Sequence, residues 1–215
     1  MSEAAVPSLA LVVPCFNEER ALPITVARLR EELTRLENDG KASRNSAIYL
    51  VDDGSTDGTW DLIEKFAGEH TAVQGIKLSR NYGHQYALYA GLMEADGDAL
   101  VSLDADLQDD VGVIAEMLSA YQQGNDIVYG VREDRSSDGA FKRWTALTHY
   151  WLSERMGIVT IHNHADFRLM SRRAVEFLRQ YREANLYLRG IVPQLGLPSS
   201  RVHYRRDERV AGATK

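Results

Sequence analysis

AIYLVDDGSTDGTWDLIEKFAGEH, residues 47–70, contains an apolar run, a polar loop and an amphipathic segment in succession. The run AIYLVDD (47–53) is typical of a buried strand, because it is short, rich in apolar residues and followed by a glycine-containing turn. GSTDGT forms the loop, and WDLIEKFAGEH (60–70) has the apolar spacing of a helix. The stretch therefore predicts one strand–loop–helix unit.

The same unit recurs within the first 131 residues. Apolar runs typical of strands lie at residues 9–14, 73–79, 98–104 and 126–131, and helical patterns lie at 22–36, 84–95 and 111–124. Strands that alternate with helices need crossover connections, which produce parallel strands covered by helices. We therefore predict an α/β fold with a mainly parallel central sheet and helices on both faces. Such sheets bind ligands at the carboxyl ends of their strands, so the functional loops should follow residues 14, 52, 79, 104 and 131.

The alternation ends after residue 132. Helical patterns are predicted at 141–157, 172–181 and 186–195, with a short segment at 166–170 and a strand at 200–205. No repeat, low-complexity tract or Pro-rich linker separates this part from the rest. We therefore expect residues 1–215 to form a single domain, in which 132–215 packs onto 1–131.

Composition narrows the class of protein. The chain has 215 residues, of which 44% are hydrophobic, and this is ordinary for a globular core. The single cysteine, Cys15, excludes an intrachain disulfide and favours a reducing cytoplasm. No apolar stretch reaches about 18 residues and no signal-type segment opens the chain, so no membrane span is predicted. Residues 1–131 hold 9 basic and 22 acidic residues, a charge of −13, whereas 132–215 hold 16 and 9, a charge of +7. The two halves should therefore meet different partners.

Carboxylates are concentrated where predicted strands end. Asp52 and Asp53 end one strand, and Asp104 and Asp106 end another in SLDADLQDD. In an extended chain Asp104, Asp106 and Gln108 project to the same side and offer oxygen ligands to Mg²⁺ or Mn²⁺. Such an ion usually completes its coordination with phosphate oxygens and water. The implied substrate is a nucleotide or another diphosphate.

Other kinds of site are not favoured. The chain has no GxGxxG after a strand, no GxxxxGK[ST] and no GxSxG, which argues against dinucleotide, P-loop and serine hydrolase sites. Asp57 and Asp109 are interpreted as turn formers or helix caps. His162 and His164 lack a third ligand nearby and are interpreted as loop residues. Cys15 has no histidine near it in sequence and is interpreted as a packed side chain. Nucleic acid is not an expected partner, since the net charge is negative and the basic residues lack interleaved aromatics.

Six motifs occur in an order and spacing that resemble a known family. They are VVPCFNEE, VDDGSTDGT, LSRNYGHQYAL, DADLQDD, DFRLM and RDERVAGATK, and they cover nearly all of residues 9–215. The chain resembles the inverting family 2 glycosyltransferases, in particular the subgroup that loads a sugar onto a polyprenyl phosphate, as bactoprenol glucosyltransferases and dolichyl-phosphate mannose synthases do. The resemblance implies a GT-A fold, a nucleotide-sugar donor, Mg²⁺ or Mn²⁺ as cofactor, and no covalent intermediate.

The resemblance also implies roles for individual residues. Asp104 and Asp106 match the motif that binds metal and diphosphate, with Gln108 as an added metal ligand. The implied nucleotide-sugar-binding residues are Pro14, Asn17, Glu18, Asp52, Asp53, Asp104 and Arg132. The residues expected to contact acceptor or phosphate groups are Arg135, Lys142, Arg206, Arg209, Thr214 and Lys215.

Asp166 matches the catalytic base of the family. In a single displacement, a carboxylate assists or orients the acceptor oxygen as it attacks the anomeric carbon. A phosphate acceptor is already ionised at neutral pH, so we expect Asp166 to act mainly by positioning. The alternative is a strand-end aspartate that is merely paired with Arg168.

The expected reaction transfers glucose from UDP-glucose to a polyprenyl phosphate. GDP-mannose as donor, a soluble saccharide or protein as acceptor, and an inactive nucleotide-sugar-binding module are the alternatives. Residues 1–131 are expected to bind donor and metal, and 132–215 to face the acceptor and the anionic membrane surface through a basic terminal loop. We expect a chain that is soluble as given and acts at the cytoplasmic face of the cell membrane. Because transmembrane helices follow in many bacterial relatives, we expect a truncated form or a short peripheral enzyme, and a homo-oligomer is left open.

Overall fold

Seven strands and six helices are formed by residues 6–132, 164–181 and 186–204, the residues that the computed structural model describes. The strands are β1 (Leu9–Cys15), β2 (Ala47–Asp52), β3 (Val73–Lys77), β4 (Ala99–Ser102), β5 (Ile127–Arg132), β6 (His164–Ser171) and β7 (Ser199–Tyr204). The helices are α1 (Leu22–Asn38), α2 (Thr59–Glu69), α3 (His84–Glu94), α4 (Ile114–Gln122), α5 (Arg172–Leu178) and α6 (Leu188–Gln194), and a 3-10 turn, Val111–Val113, leads into α4.

The strands form one sheet in the order β3-β2-β1-β4-β6-β5-β7. β6 runs antiparallel to both of its neighbours, β4 and β5, while every other pairing is parallel. The predicted α/β fold with a mainly parallel sheet is therefore confirmed. The insertion of β6 between β4 and β5 was not predicted from the sequence.

Both faces of the sheet are covered by helices, as predicted. β1 is buried along its whole length because its side chains alternate between two cores. Leu11 belongs to the core that also holds residues of α1, α2 and α4, whereas Val12 belongs to the core that holds residues of α3, α5 and α6. The apolar positions predicted for the first helix all face the first of these cores: Leu22, Val26, Leu29, Leu33 and Leu36.

The bounds of several elements differ from the sequence-based expectation. The strand predicted at 98–104 ends at Ser102, and the one predicted at 73–79 ends at Lys77. The helix predicted at 111–124 begins with a 3-10 turn. Asp110 caps this turn by accepting the Gly112 N–H. The helix predicted at 141–157 lies outside the described residues. No helix in the described part of the chain is long and apolar enough to cross a membrane.

The topology brings one end of each of the seven described strands to the same edge of the sheet. β1 to β5 and β7 are parallel to one another, so their carboxyl ends meet there. Because β6 is antiparallel, it is its amino-terminal end that reaches the same edge. The loops after β1, β2 and β4 and the start of β6 therefore lie side by side, as the crossover pattern predicts for a ligand site.

Candidate active site at the carboxyl edge of the sheet

The loop after β1 and the loop after β2 are joined by polar contacts. Asn17, whose φ of 56° is left-handed, accepts the Thr56 N–H with its Oδ1 at 2.9 Å. Its own N–H donates to the Ser55 hydroxyl at 3.0 Å, and the Glu18 N–H donates to the Thr59 hydroxyl at 2.8 Å. The structure thus brings together the predicted nucleotide-binding motifs VVPCFNEE and VDDGSTDGT, with Pro14 next to last in β1.

Asp57 stabilises the start of α2. Its Oδ1 accepts the Thr59 N–H at 3.0 Å and the Thr59 hydroxyl, and its Oδ2 accepts the Glu19 N–H at 3.3 Å. Hydrogen bonds from Thr59 and Glu19 outweigh the effect of burial and lower the pKa of Asp57. The interpretation of Asp57 as a turn former or cap is confirmed.

Asp52 and Asp53 have different environments, although both are buried. Asp53 accepts the backbone N–H groups of Tyr82 and Gly83 at 2.8 and 2.9 Å, one with each carboxylate oxygen. Asp52 accepts only the Ser55 N–H, at 3.2 Å, and its buried Oδ2 has no hydrogen-bond partner among the described residues. Buried polar atoms are usually paired, so the Oδ2 of Asp52 is an exception in the described part of the chain.

The DADLQDD loop begins beyond β4, so the expected alternation of an extended strand does not hold there. β4 ends at Ser102, and Leu107 adopts a left-handed φ of 50°. Asp106 Oδ1 accepts the Gln108 N–H at 3.2 Å, which closes the loop on itself. The prediction that alternate side chains project together because they lie on one strand is therefore wrong.

The loop still presents oxygen atoms that fit a divalent cation. The Oδ1 of Asp104 and the Oε1 of Gln108 are buried and accept no hydrogen bond from the described residues. Thr25 of α1 holds the loop in place by donating to the Ala105 carbonyl at 2.6 Å. In the described part of the chain, no cluster of three or more His, Cys, Asp or Glu side chains has the arrangement of a metal site. A cation bound here would need phosphate oxygens or water to complete its coordination, as is usual for Mg²⁺.

Asp104 is surrounded by like charges. Burial is the largest cause that raises its pKa, and the neighbouring Asp109, Asp166 and Asp106 raise it further, against the lowering effect of His84. Carboxylates crowded in this way repel one another unless a cation or a donor lies between them. This cluster of carboxylates is therefore suited to bind a cation.

Asp109 does not cap a helix, contrary to the interpretation from sequence. It is 5% exposed, and its Oδ1 accepts hydrogen bonds from Arg132 Nη2 at 2.9 Å and from the Tyr204 hydroxyl. The capping role belongs to the next residue, Asp110. Arg132 also donates to the Tyr204 hydroxyl through Nε at 3.2 Å. This predicted donor-binding guanidinium, with 27% of its side chain exposed, is thus already paired within the protein.

Asp166, at the start of β6, receives hydrogen bonds on both carboxylate oxygens. Its Oδ1 accepts from Arg168 Nη2 at 2.5 Å and from Arg189 Nε at 3.2 Å. Its Oδ2 accepts from Arg189 Nη2 at 3.0 Å and Gln85 Nε2 at 3.1 Å, with His84 Nε2 at 3.3 Å. The expected pairing with Arg168 is present, and three further residues share the carboxylate.

His84 connects Asp166 to the acidic loop. Its Nε2 lies 3.3 Å from Asp166 Oδ2 and 3.5 Å from Asp104 Oδ1. Partial burial lowers the pKa of His84, but the hydrogen bond to Asp166 and the charge of Asp104 outweigh that effect and raise it. The structure therefore places the predicted catalytic carboxylate and the predicted metal-binding carboxylate against the same nitrogen of one imidazole.

The electrostatics keep Asp166 ionised. Burial favours its neutral form, yet the hydrogen bonds from His84 and Arg189 and the charge of Arg168 are stronger and hold its pKa well below the usual range. A carboxylate whose pKa is so low is a poor acceptor of protons. Its chemistry at this edge is to hold positive and hydrogen-bonding groups in place.

Three residues of the site had no role in the sequence analysis: His84, Gln85 and Arg189. His84 and Gln85 lie within the motif LSRNYGHQYAL, and the presence of that motif was a signal that its polar residues have a function. Arg189 lies in no motif, and only the structure pairs it with Asp166.

Some predicted residues cannot be placed. Those outside the described residues are Arg135, Lys142, His162, Arg206, Arg209, Thr214 and Lys215. The side chain of His164 is likewise outside the described part, although its backbone begins β6. The predicted acceptor contacts of Arg135, Lys142, Arg206, Arg209, Thr214 and Lys215 remain predictions. The interpretation of His164 as a loop residue is wrong, because β6 begins there. Cys15 is 1% exposed and packs in the core with Leu11, as expected.

Comparison with known proteins identifies the family. The family model described as glycosyl transferase family 2 matches residues 10–179. The chain belongs to this family. It is 50% identical over 211 residues to the glycosyltransferase YkoT of Bacillus subtilis (strain 168), a match that covers 97% of this chain and 63% of YkoT. It is 41% identical over 210 residues to a prophage bactoprenol glucosyl transferase homolog of Escherichia coli (strain K12), which covers 96% of this chain and 66% of the relative. The chain thus spans somewhat less than two thirds of these relatives.

Solved structures of other glycosyltransferases share the fold. The mannosyltransferase PcManGT of Pyrobaculum calidifontis, in complex with GDP-Man and Mn²⁺, superposes with a TM-score of 0.68 at 19% identity, covering 95% of this chain and 57% of that one. Glucosyl-3-phosphoglycerate synthase of Mycobacterium tuberculosis, in complex with Mn²⁺, UDP and phosphoglyceric acid, superposes with a TM-score of 0.62 at 21% identity, covering 95% and 72%. The family 2 chain described here therefore has the GT-A fold that its motifs implied.

Proposed function

We propose that this chain is the catalytic domain of an inverting hexosyltransferase, which moves glucose from UDP-glucose to a polyprenyl phosphate. The observation that carries the proposal is the meeting, at one imidazole, of Asp166 and Asp104 at the carboxyl edge of the sheet. Such an arrangement suits a displacement in which the leaving group is bound at one carboxylate and the acceptor approaches near the other. Further support comes from a 40% identical relative named bactoprenol glucosyl transferase, from Shigella phage SfV.

The donor is assigned to the half formed by residues 1–131. The base and ribose would lie against Pro14, Asn17, Glu18 and the Asp52–Asp53 pair. Within that pair both oxygens of Asp53 already accept backbone N–H groups, whereas the Oδ2 of Asp52 has no hydrogen-bond partner among the described residues.

Asp104, Asp106 and Gln108 are the proposed ligands of Mg²⁺ or Mn²⁺. The support is the pair of buried acceptor oxygens in this loop and the Mn²⁺ that accompanies PcManGT. When bound, the ion supplies positive charge that stabilises the departing diphosphate. Thr25 and the Asp106–Gln108 contact hold the loop in place.

Asp166 is proposed to act by positioning. Its low pKa makes proton removal inefficient, and a phosphate acceptor at neutral pH has no proton that must be removed. The ionised carboxylate instead fixes Arg189, Gln85 and His84 in one arrangement. Placing reacting groups in the right geometry is itself a large source of rate acceleration.

The acceptor half comprises residues 132–215. Its net charge of +7 is complementary to a phosphorylated lipid and to an anionic membrane surface. We assign acceptor contact to Arg135, Lys142, Arg206, Arg209, Thr214 and Lys215, and association with the cytoplasmic face of the membrane to the same half.

The test is transfer of labelled glucose from UDP-glucose to undecaprenyl phosphate, measured as label that becomes extractable into organic solvent. Wild-type protein with Mn²⁺ should form the lipid product, and Asp166→Asn should lower turnover by about 100-fold, the scale of a misplaced reacting group. Asp96→Asn is the matched control, since Asp96 is fully exposed at the opposite edge of the sheet. Unchanged turnover in Asp166→Asn with normal UDP-glucose binding would contradict the role of Asp166. Label found only in water-soluble saccharide or protein would contradict the acceptor.

The donor can be tested separately from the chemistry. A nucleotide sugar that binds only the folded protein raises its melting temperature. UDP-glucose with Mn²⁺ should therefore raise it more than GDP-mannose with Mn²⁺. The reverse order would assign the donor site to GDP-mannose.

A further inference from the structure

Arg189 is the one cationic partner of Asp166 among the described residues that is exposed and makes no hydrogen bond or ion pair with the acidic loop. Arg168 is 1% exposed and cannot reach a ligand, while His84 contacts Asp104. Arg189 has 43% of its side chain exposed, although it donates to both oxygens of Asp166. Its Nη1 donates to no described residue. The guanidinium is thus held on one side and open on the other.

The backbone that carries Arg189 is fixed by two buried contacts. The Leu188 N–H donates to Gln85 Oε1 at 3.0 Å, and the Leu188 carbonyl accepts from Arg168 Nη1 at 3.4 Å. Gln85 and Arg168 both donate to Asp166 as well. The start of α6 and the carboxylate are therefore positioned by the same side chains, and Arg189 has little freedom to move away.

Asp166 has no capacity left for another donor. A carboxylate has about four lone-pair positions, and here four hydrogen bonds and one imidazole contact already use both oxygens. Two permanent positive charges, on Arg168 and Arg189, act on the Asp166 carboxylate, and the next carboxylate, Asp104, contacts His84 at 3.5 Å. What the cluster offers to a ligand is therefore positive charge and N–H groups, which suits a phosphate.

We propose that Arg189, held in place by Asp166, binds the phosphate of the acceptor substrate. Guanidinium groups match the geometry of phosphate oxygens, and a charge-assisted hydrogen bond of this kind is stronger than a neutral one. The residue thereby brings the attacking phosphate oxygen to the anomeric carbon. This inference rests on the proposed transfer to a phosphorylated acceptor and adds the group that recognises the phosphate.

The acceptor fits this position better than the donor diphosphate does. In an inverting displacement the nucleophile approaches opposite the leaving group, and the leaving group is assigned to Asp104 and Asp106. Both hydrogen-bonding groups of Arg189, Nε and Nη2, donate to Asp166, whereas Asp104 acts on Arg189 only through its charge. Arg132, the cation nearest to the DADLQDD loop in the described residues, is already paired with Asp109.

The experiment compares wild type, Arg189→Gln and Arg189→Lys with farnesyl phosphate as the acceptor probe. Arg189→Gln should raise KM for farnesyl phosphate by about 10- to 100-fold, the range of a lost hydrogen bond between charged groups. Its Kd for UDP-glucose in the presence of Mn²⁺ should remain within about twofold of the wild-type value. Arg189→Lys should recover part of the loss, since it keeps the charge but not the planar fork. Arg173→Gln is the control, because Arg173 is an exposed arginine at the opposite edge of the sheet, paired with Asp126.

Competition binding separates the phosphate from the lipid chain. Inorganic phosphate should displace farnesyl phosphate from wild type and lose this ability in Arg189→Gln, whereas farnesol should compete equally weakly with both. An unchanged affinity of Arg189→Gln for both phosphates overturns the inference, and so does a loss confined to UDP-glucose. A fall in kcat with both KM values unchanged also overturns it, because Arg189 would then act only through Asp166. If the wild-type protein forms no glucosyl product, the proposed function is contradicted but the inference about Arg189 is not. The competition binding of farnesyl phosphate and inorganic phosphate still tests Arg189.

Discussion

At the scale of single residues, Asp53 and Gly54 connect the loop after β2 to the segment before α3. Asp53 accepts the N–H groups of Tyr82 and Gly83, while Gly54 lies against the backbone of Arg80 and Asn81. This contact places α3 so that its first residues reach the site. The two neighbours in the motif VDDGSTDGT thus have a structural role that supports the chemistry elsewhere.

Gly54→Ala should destabilise the protein more than Gly40→Ala. Both glycines have a φ of +68°, so alanine pays the same left-handed penalty of about 1 kcal/mol at either position. At Gly54 the new Cβ would also lie 2.4 Å from the Arg80 carbonyl carbon, whereas nothing lies within 4 Å at Gly40. We expect a total loss of about 3 kcal/mol for Gly54→Ala, measured by urea unfolding. Equal losses in the free energy of unfolding for Gly54→Ala and Gly40→Ala would show that the backbone at Arg80 moves away from the new Cβ without cost.

Cys15 should react slowly with Ellman's reagent in the folded protein. Its side chain is 1% exposed, and burial, assisted by the charges of Glu18 and Asp52, raises the pKa of the thiol. Because the thiolate is the reactive form, labelling should be at least about 100-fold slower than in urea. Cys15 is the only cysteine of the chain, so unfolded protein should release one equivalent and serves as the control. Rapid labelling under native conditions would mean that the loop after β1 opens easily.

The sequence predicted the carboxylates of the site but not the side chains that control them. Asp52 and Asp104 stood out because each ends an apolar run typical of a strand, and Asp166 stood out because it matches the catalytic base of the family that the chain resembles. The partners of Asp166 come from distant positions, with Gln85 separated from it by 81 residues and Arg189 by 23. Such pairs arise from the packing of α3 and α6 against β6, and no local pattern in the sequence encodes them.

At the scale of secondary structure elements, β6 determines where Asp166, the proposed positioning carboxylate, lies. Alternating strands and helices predicted the parallel strands β1 to β5 because crossover connections leave a clear periodic pattern. The direction of β6 has no such signal, since a long segment separates it from β5. Its antiparallel insertion brings Asp166 to the same edge as Asp104. Ser102 of β4 strengthens this position by donating to the Asp166 carbonyl.

Tyr204→Phe should loosen the contact between the end of β7 and the acidic loop. The hydroxyl donates to Asp109 Oδ1, and Asp109 is buried with its Oδ2 unpaired among the described residues. Losing a hydrogen bond to a charged group should cost about 1.5–3 kcal/mol in the free energy of unfolding, measured with urea. The phenylalanine ring keeps the edge contact with Phe167 at 5.4 Å, so the change isolates the hydroxyl. Tyr187→Phe, at a tyrosine that is 60% exposed, should change stability by less than about 0.5 kcal/mol. A similar effect of both variants would contradict the structural role of Tyr204.

At the scale of the whole molecule, the fold separates two kinds of buried acid. Asp166, at the carboxyl edge of the sheet, stays charged because cations and N–H groups surround it. Phenols and the thiol inside or beside the cores are instead held neutral by burial. Burial raises the pKa of Tyr129 to about 12, and it also raises the pKa values of Tyr204 and Cys15.

The buried, neutral side chains of Tyr129, Tyr204 and Cys15 predict that the protein loses stability at alkaline pH. In the unfolded chain a tyrosine releases its proton near pH 10 and a cysteine near pH 8.5, whereas the folded protein retains these protons to higher pH. Above those values the folded state binds more protons than the unfolded state, so the free energy of unfolding falls as pH rises. Each such group contributes a slope of up to about 1.4 kcal/mol per pH unit until its folded pKa is reached.

Urea unfolding from about pH 9 to about pH 11 should therefore show a steepening decline. Tyr129→Phe and Tyr204→Phe should each make that decline shallower, because the variant has one fewer proton to lose on unfolding. Tyr187→Phe is the control and should leave the slope unchanged, since Tyr187 is 60% exposed. A slope that Tyr129→Phe and Tyr204→Phe both fail to reduce would mean that these phenols ionise in the folded protein, which their burial in the sheet opposes.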